Sequence, residues 1–347
     1  MGLNIREIIP RREIEPSELK GKIVCVDAFN ILYQFLSTIR QPDGTPLKDS
    51  HEKITSHLSG IFYRNISLLS EGVKLIYVFD GKPPELKRKT RKEREEIKDL
   101  AREKYEEAKQ VEDIAMMKRY SSQLVRLNEE IISESKELLE AMGIAVVQAP
   151  SEGEAEAAYL CRANSEIYAS VSQDYDSLLF GTKRLIRNLT VSRKKKTSFG
   201  RFIEVNPEII ELDKVLNQLG IGLDQLICLG ILVGTDYNPK GIPGIGQKKA
   251  LDIVQKNNQP VLIFESVKER IDALSEEDKF DWKEIFEIFK KHDVKDFEIK
   301  FPKINISKIK KILVEEHDFS EERIDNQLEK LNELIKKNQQ KNLGKWF

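Results

Sequence analysis

The sequence contains very little cysteine: Cys25, Cys161 and Cys228 are the only three in 347 residues. They lie far apart along the chain, each inside an apolar segment, so their spacing fits neither a disulfide framework nor a zinc site. We therefore expect three small core residues. Long hydrophobic runs are also missing, since no stretch approaches the roughly 18 apolar residues of a membrane-spanning helix. This argues against a membrane protein, and the lack of an apolar leader segment favours an intracellular location.

Glycine and proline are scarce as well, at 18 and 12 residues, and 40% of the residues are hydrophobic. This composition is typical of ordered globular proteins. The net charge of -1 argues against a general nucleic-acid binder, but the charge is unevenly distributed. Residues 183–201 hold eight Lys or Arg and no acid, and residues 82–94 hold seven bases and two acids. Either patch is equally well explained as a solvated surface or as a contact with a polyanion.

Four short runs rich in Val and Ile predict buried strands, and helical patterns lie between them. This alternation is typical of an α/β fold with a mainly parallel sheet. Residues 85–140 contain no Pro or Gly, so we expect long helices inserted between the second and third strands, too polar to join the core. From residue 206 onward the pattern is helical, interrupted by the Gly-rich stretch 241–246. The predicted strands are 22–26, 74–79, 144–148 and 167–172.

Acidic residues stand where the predicted strands end. Parallel strands bring their carboxyl ends to one crevice of an open sheet, so these side chains should converge. Each acid alone has a structural alternative. Asp27 and Asp80 could cap the next helix or turn, Ser151 to Glu154 fits a capping box, and Asp174 with Asp176 fits an Asx turn. Acids at all four strand ends argue against that alternative for the set. The set is Asp27, Asp80, Glu152, Glu154, Asp174 and Asp176, with Asp236 in a later loop as a seventh.

Such a cluster predicts bound divalent cations, because buried like charges repel by several kcal/mol or take up protons. Oxygen ligands without His or Cys favour Mg²⁺ or Mn²⁺, and two ions about 4 Å apart can clamp the attacking and leaving oxygens of a phosphodiester. An aspartyl phosphatase is the rival enzyme class. It would need a second Asp two residues after Asp27, where the sequence has Phe29. Metal-activated water is therefore favoured over covalent phosphoryl chemistry.

Five ordered segments resemble the motifs of the flap endonuclease family in its archaeal form, and the resemblance covers nearly the whole chain. It implies a PIN-like α/β nuclease core in which all seven acids ligate metal, directly or through water. Glu156 is an additional acid that the resemblance does not assign to the metals. The segments are VDAFNILYQFL (26–36), VFDGKPPELK (78–87), APSEGEAEAAY (149–159), SQDYDSLLFG (172–181) and GTDYNPKGIPGIGQKKAL (234–251).

By the same resemblance, the long helical insertion is an arch through which a single-stranded 5′ end passes. On a helix, Lys87, Arg91, Arg94 and Lys98 recur at i, i+4, i+7 and i+11, forming one basic stripe that can face a phosphate backbone. The resemblance implies that Lys87 and Arg94 contact the scissile phosphate, where fixed positive charge stabilises the transition state. It also implies that Tyr33 stacks on a base near the cut. Without the resemblance, a core tyrosine would be preferred.

The Gly-rich stretch 241–246 resembles a helix-hairpin-helix turn. Its glycines let the backbone approach a phosphate, which the N–H groups at the start of the next helix bind regardless of sequence. The resemblance implies K⁺ at this turn, and an ordinary Gly-rich turn is the alternative. The residues expected to contact DNA here and on the arch are Gly241, Gly244, Gly246, Lys248, Lys249, Arg91 and Lys98.

The polar C-terminal tail ends in two large aromatic residues. Gln340, Leu343, Trp346 and Phe347 match the clamp-interacting pattern of Gln, an aliphatic residue three positions on, and two aromatics at the sixth and seventh positions. Exposed, the aromatics would forgo burial worth a few kcal/mol, so a pocket on a sliding clamp (PCNA) is the favoured account. Docking onto the chain's own surface is the alternative.

We therefore expect three regions: a nuclease core (1–260) that includes the arch (85–140) and the hairpin region (223–255), a helical region (261–335) packed on it, and a flexible tail (336–347). The predicted function is metal-dependent hydrolysis of branched DNA at 5′ flaps, with 5′-3′ exonuclease activity, in Okazaki-fragment processing and repair. An archaeal chain would act in the cytoplasm or nucleoid. A related 5′-exonuclease or bubble-cutting nuclease, and a catalytically silent clamp-bound scaffold, are the alternatives.

Overall fold

A computed structural model describes residues 3–191, 194–196 and 202–343, with the backbone alone for 88–94, 194–196, 202–203 and 333–343. The described strands are β1 (Arg12–Glu13), β2 (Ile23–Asp27), β3 (Lys74–Phe79), β4 (Ala145–Gln148), β5 (Ile167–Val171), β6 (Arg184–Arg187), β7 (Lys194–Lys196), β8 (Phe202–Glu204) and β9 (Glu208–Glu211). Seven of them form one sheet in the order β1-β9-β6-β5-β2-β3-β4, and β7 pairs with β8 separately.

The centre of the large sheet is parallel, as the sequence predicted. Strands β2, β3, β4 and β5 occupy the four predicted runs, and β5 also pairs in parallel with β6. Residues 208–211 correct one expectation, because they form β9 where the sequence pattern indicated helix. This strand pairs antiparallel with both β6 and β1 and so completes one side of the sheet.

Helices cover both faces of the sheet and carry the remaining chain. They are α1 (Ala28–Thr38), α2 (Ser56–Ser70), α3 (Lys87–Gln110), α4 (Ile114–Ser121), α5 (Glu129–Ala141), α6 (Gly153–Ala163), α7 (Asp176–Leu179), α8 (Leu212–Leu219), α9 (Leu223–Val233), α10 (Gln247–Lys256), α11 (Pro260–Glu265), α12 (Lys268–Asp272), α13 (Trp282–Lys290), α14 (Ile306–Lys310) and α15 (Glu321–Leu343). A 3₁₀ turn (Pro16–Leu19) and a π turn (Lys311–Glu315) complete the set among the described residues.

The insertion after β3 divides into two parts with different surroundings. Helix α3 is strongly polar and exposes even Ile97 and Leu100, so it stands away from the core. Helix α5 instead buries Leu138 and Leu139 in an apolar cluster that also contains residues of β2 and β3. The expectation that the whole insertion is too polar for the core is therefore wrong for α5, whose apolar residues recur at helical spacing along one face.

Apolar clusters lie on both faces of the sheet and pack it against the helices. One cluster joins β2 and β3 to α1, α2, α5, α14 and α15, and a second joins β6 and β9 to helices from α6 to α13. All three cysteines are free and buried, as expected. No single helix among the described residues is long and apolar enough to cross a membrane; α8 and α9 pass that test only as a pair bent by 82°.

Candidate active site

Six of the seven predicted acids lie at the carboxyl edge of the parallel strands. Because β5, β2, β3 and β4 are neighbours in the sheet, the segments that come after them meet at one place. The seventh acid, Asp236, arrives from the loop between α9 and α10. Asp27 ends β2, Asp80 follows β3, Glu152 and Glu154 lie at the start of α6, and Asp174 and Asp176 follow β5.

Burial and mutual repulsion disfavour the charged forms of these carboxylates. Burial, followed by the neighbouring charge of Asp80, raises the pKa of Asp27 well above its usual range. Burial, followed by Asp176, does the same to the pKa of Glu154. Asp176 is 3% exposed, and burial together with Asp236 raises its pKa to about 8. The cluster is therefore a place where positive charge is strongly favoured.

The ammonium group of Lys87, the first residue of α3, supplies one such charge. It forms an ion pair with Glu152 and lies 3.5 Å from the Oδ2 atom of Asp236. Its Nζ atom lies 5.1 Å from the ring centroid of Tyr237, whose hydroxyl donates a hydrogen bond to Glu152. Burial lowers the pKa of Lys87, but these carboxylates outweigh it and the net shift is upward. Lys87 is thus held charged among the acids.

Hydrogen-bond donors from the protein engage other members of the cluster. The Gly153 N–H donates to Oδ1 of Asp80 at 2.8 Å. The Ser177 hydroxyl and N–H donate to Oε1 of Glu154 at 2.6 and 3.0 Å. Asp27 caps α1 by accepting from the Asn30 N–H at 3.1 Å, so the structural alternative holds for Asp27 alongside its place in the cluster. The capping box is absent, because no side chain caps α6.

The donor chemistry of the cluster fits a hard divalent cation. The seven side chains are all carboxylates, and Mg²⁺ and Mn²⁺ prefer such oxygen ligands. Within the described part of the chain, no three His, Cys, Asp or Glu side chains lie close enough together to hold one metal ion. Lys87 pairs with Glu152 and Asp236 instead, so a cation that used these two acids would compete with its ammonium group.

The loop that carries Asp174 is held from both sides by residues that the sequence interpretation missed. The side-chain amide of Asn30 donates to Asp174 and accepts from the Gln173 N–H. On the other side, Nε of Arg187 donates to the Gln173 carbonyl at 3.0 Å, and its guanidinium carbon lies 4.1 Å from the Tyr175 ring centroid. Only the position of Asn30 in the first turn of α1, three residues after Asp27, could have indicated its role.

The aromatic residue assigned to base stacking is exposed. Tyr33 is 40% exposed, which excludes the alternative of a core tyrosine, and Nζ of Lys98 lies 6.0 Å from its ring centroid. Helix α3 carries the predicted stripe in one continuous segment, and Lys98 also donates to Glu95. The side chains of Arg91 and Arg94 lie outside the described part of the structure.

The predicted hairpin joins α9 to α10 and shows the backbone geometry that its glycines allow. Gly241 has φ of 56°, and a Cβ atom there would lie 2.3 Å from the Val233 carbonyl oxygen, so a larger residue would be strained. Gly244 is exposed with φ of 76°, and Gly246 is the N-cap of α10. Lys248 and Lys249 follow on the exposed side of that helix.

Glu156 plays a part away from the seven acids. Its side chain is fully buried, and Oε2 accepts a hydrogen bond from the Lys295 N–H at 3.0 Å. This contact ties α6 to the irregular segment after α13. Glu156 therefore connects α6 to a distant part of the chain through this hydrogen bond.

The predicted clamp motif falls at the end of the described chain. Gln340 and Leu343 belong to the last turns of α15, where the backbone alone is described. Trp346 and Phe347 lie outside the described residues.

Comparison with known proteins links this geometry to one family. Residues 4–101 match the XPG N-terminal domain and residues 143–236 match the XPG I-region. Flap endonuclease 1 of Thermococcus onnurineus is 50% identical over 348 residues, which span 100% of this chain and 99% of that protein. Flap endonuclease 1 of Pyrococcus furiosus is 49% identical, over 100% of this chain and 99% of that protein.

Comparison with solved structures leads to the same family. The flap endonuclease-1 structure from Methanococcus jannaschii matches with a TM-score of 0.74 and 40% identity, over 97% of this chain and 100% of that one. The catalytic core of Rad2 in complex with DNA substrate, 22% identical with a TM-score of 0.69 over 95% of this chain and 100% of that one, shows a shared fold. With half of its residues identical to a relative along its full length, the chain belongs to the flap endonuclease 1 family.

Proposed function

We propose that this chain is a divalent-metal-dependent flap endonuclease that hydrolyses DNA phosphodiesters at junctions of single-stranded and duplex DNA. Family membership supports the activity. The observation that carries the proposal is the meeting of acids from four parallel strand ends with Lys87 and the hairpin loop that bears Asp236. Carboxylates and a fixed cation at one edge of the sheet suit the cleavage of a polyanion, and they can act on it regardless of its base sequence.

Seven acids would hold two Mg²⁺ or Mn²⁺ ions: Asp27, Asp80, Glu152, Glu154, Asp174, Asp176 and Asp236. When bound, such ions supply Lewis-acid stabilisation of the phosphate and lower the pKa of water. Other side chains would contact the DNA itself. Lys87 and Arg94 would contact the scissile phosphate, and the exposed Tyr33 ring would stack on the adjacent base.

Duplex DNA would be held by the hairpin, and the 5′ single strand by the basic stripe of α3. The exposed Gly244 and Gly246 leave backbone groups open to a phosphate, and Lys248 and Lys249 add positive charge on the same side. We assign K⁺ to this turn, and the insertion that begins with α3 to the arch around the 5′ single strand. Arg91 and Lys98 would contact the backbone of that strand.

A sliding clamp would bind the tail through Gln340, Leu343, Trp346 and Phe347. The aromatic pair would fill an apolar pocket and keep the nuclease on replicated DNA. Such a role would put the protein inside the cell, in Okazaki-fragment maturation and repair. The nuclease core (1–260), helical region (261–335) and tail (336–347) are the corresponding proposed units.

Cleavage of end-labelled DNA tests the activity and its substrate class. We expect 5′-flap DNA to be cut at the junction with Mg²⁺ present, yielding a 5′-phosphate and a 3′-hydroxyl, and to remain intact with a chelator. Nicked, bubble and hairpin DNA should compete less well than the flap. Preferred cleavage of bubbles would identify the related bubble-cutting class, and no cleavage of any substrate would contradict the proposal.

A further inference from the structure

Asn30 contacts two of the clustered acids, Asp174 through its uncharged side chain and Asp27 through its backbone N–H. It is the third residue of α1, directly after the Asp27 cap. Its Nδ2 donates to Oδ2 of Asp174 at 2.8 Å, and its Oδ1 accepts from the Gln173 N–H at 3.1 Å. Its own backbone N–H donates to Oδ1 of Asp27 at 3.1 Å.

The orientation of this amide is determined by its partners. A carboxylate oxygen accepts and a backbone N–H donates, so exchanging the amide oxygen and nitrogen would break both side-chain contacts. The two bonds join residues 143 and 144 positions away in sequence. Asn30 therefore ties the loop after β5 to the helix after β2 at the carboxyl edge of the sheet.

We propose that Asn30 is a positioning residue that fixes the Asp174 carboxylate for a divalent cation, an inference that rests on the proposed metal-dependent function. A hydrogen bond to one carboxylate oxygen limits rotation of that group and so sets the direction of the other oxygen. Partners of this kind orient metal ligands in many proteins.

An amide suits this place better than a carboxylate or an apolar side chain. A carboxylate at residue 30 would add repulsion beside Asp27 and Asp174, in a cluster where burial and neighbouring carboxylates already raise the pKa of Asp27 and of Glu154. An apolar side chain would leave the Gln173 N–H without this acceptor. Arg187 holds the carbonyl of the same Gln173 residue, so loss of Asn30 should loosen one side of the loop and leave the other in place.

Binding of Mn²⁺ to the DNA-free protein, measured by calorimetry, tests the proposal without relying on cleavage. Loss of a partner that orients a ligand typically weakens metal binding about 10- to 100-fold, and we expect a loss in this range for Asn30→Ala. Thr38→Ala is the matched control, because Thr38 is an exposed residue of α1 whose hydroxyl donates within its own helix, to the Gln34 carbonyl. It should bind Mn²⁺ as the wild type does.

A second comparison separates positioning from a general structural effect. In an Asp174→Ala background, Asn30→Ala should cause little further loss, because the carboxylate on which it acts is gone. An equal loss in both backgrounds, or unchanged Mn²⁺ binding by Asn30→Ala, would overturn the role of Asn30 and leave the proposed function standing. Wild-type protein that binds no Mn²⁺ would overturn both.

Thermal melting of each variant checks that it is folded. Asn30→Ser replaces Asn30→Ala where the latter does not fold, since it keeps a polar group that is too short to reach Asp174. The same loss of Mn²⁺ affinity is expected of it, and wild-type affinity would again overturn the proposal.

Discussion

Replacing Lys87 by Met should change metal binding and catalysis in opposite directions. The ammonium group lies 3.5 Å from Asp236 and also pairs with Glu152, so a divalent cation must displace it to use these ligands. At an effective dielectric constant of about 20, the Asp236 contact alone corresponds to about 5 kcal/mol. Desolvation of the buried charge offsets most of this attraction. A net change of about 1.4 kcal/mol, or roughly tenfold tighter Mn²⁺ binding, is the expected result for Lys87→Met.

Cleavage should respond in the opposite sense, because the variant lacks the positive charge proposed to stabilise the phosphate. Single-turnover cleavage of flap DNA at saturating Mg²⁺ should fall by about tenfold or more. Lys82→Met is the control: it removes the same charge from an exposed position five residues earlier and should leave both quantities near wild type. Weaker or unchanged Mn²⁺ binding by Lys87→Met would refute the competition between ammonium and metal.

Three further predictions address the arch, the tail and the core. Arg94→Ala should lower single-turnover cleavage at least about tenfold with a smaller loss of flap affinity; equal losses would make it a general backbone contact. Deleting residues 340–347 should leave clamp-free cleavage unchanged and remove stimulation by a cognate clamp, and surviving stimulation would place the clamp elsewhere. Burial lowers the pKa of His57 in the folded protein, so on acidification its imidazole takes up a proton at a higher pH in the unfolded chain than in the folded one. The free energy of unfolding should therefore fall as the pH drops below about 6.5. Urea melts at pH 7.5 and 5.5 should show a smaller fall for His57→Gln, and an equal fall would exclude His57 as its source.

The sequence predicted the centre of the sheet because its strands are nearly continuous apolar runs. Strands β6 (RLIR) and β9 (EIIE) escaped notice because each has only two apolar residues between charged ends. Their pairing with each other depends on contacts across more than twenty residues, which local patterning does not specify. Helix α5 is a different case, because its apolar residues recur at helical spacing but stand among the charged residues that dominate the insertion.

The carboxylates were predictable because position at a strand end is a local property. Their partners were not, since they come from distant segments: Lys87 reaches Glu152 from another helix, and Tyr237 meets Glu152 across 85 residues. Asn30 carries no charge, so a pattern of acidic residues does not include it. Its contact with Asp174 depends on the neighbouring places of β2 and β5 in the sheet.

Single-turnover cleavage of 5′-flap DNA by Asp176→Asn, measured with Mg²⁺ alongside flap binding, tests the metal-dependent function most directly. Asp176 is a buried acid beside Asp236 and Asp174, so its replacement should remove a metal ligand and leave the phosphate contacts that dominate affinity. We expect cleavage to be abolished and flap affinity to stay within about tenfold of wild type. Mg²⁺-dependent cleavage near the wild-type rate would contradict the assignment of this cluster as the catalytic metal site.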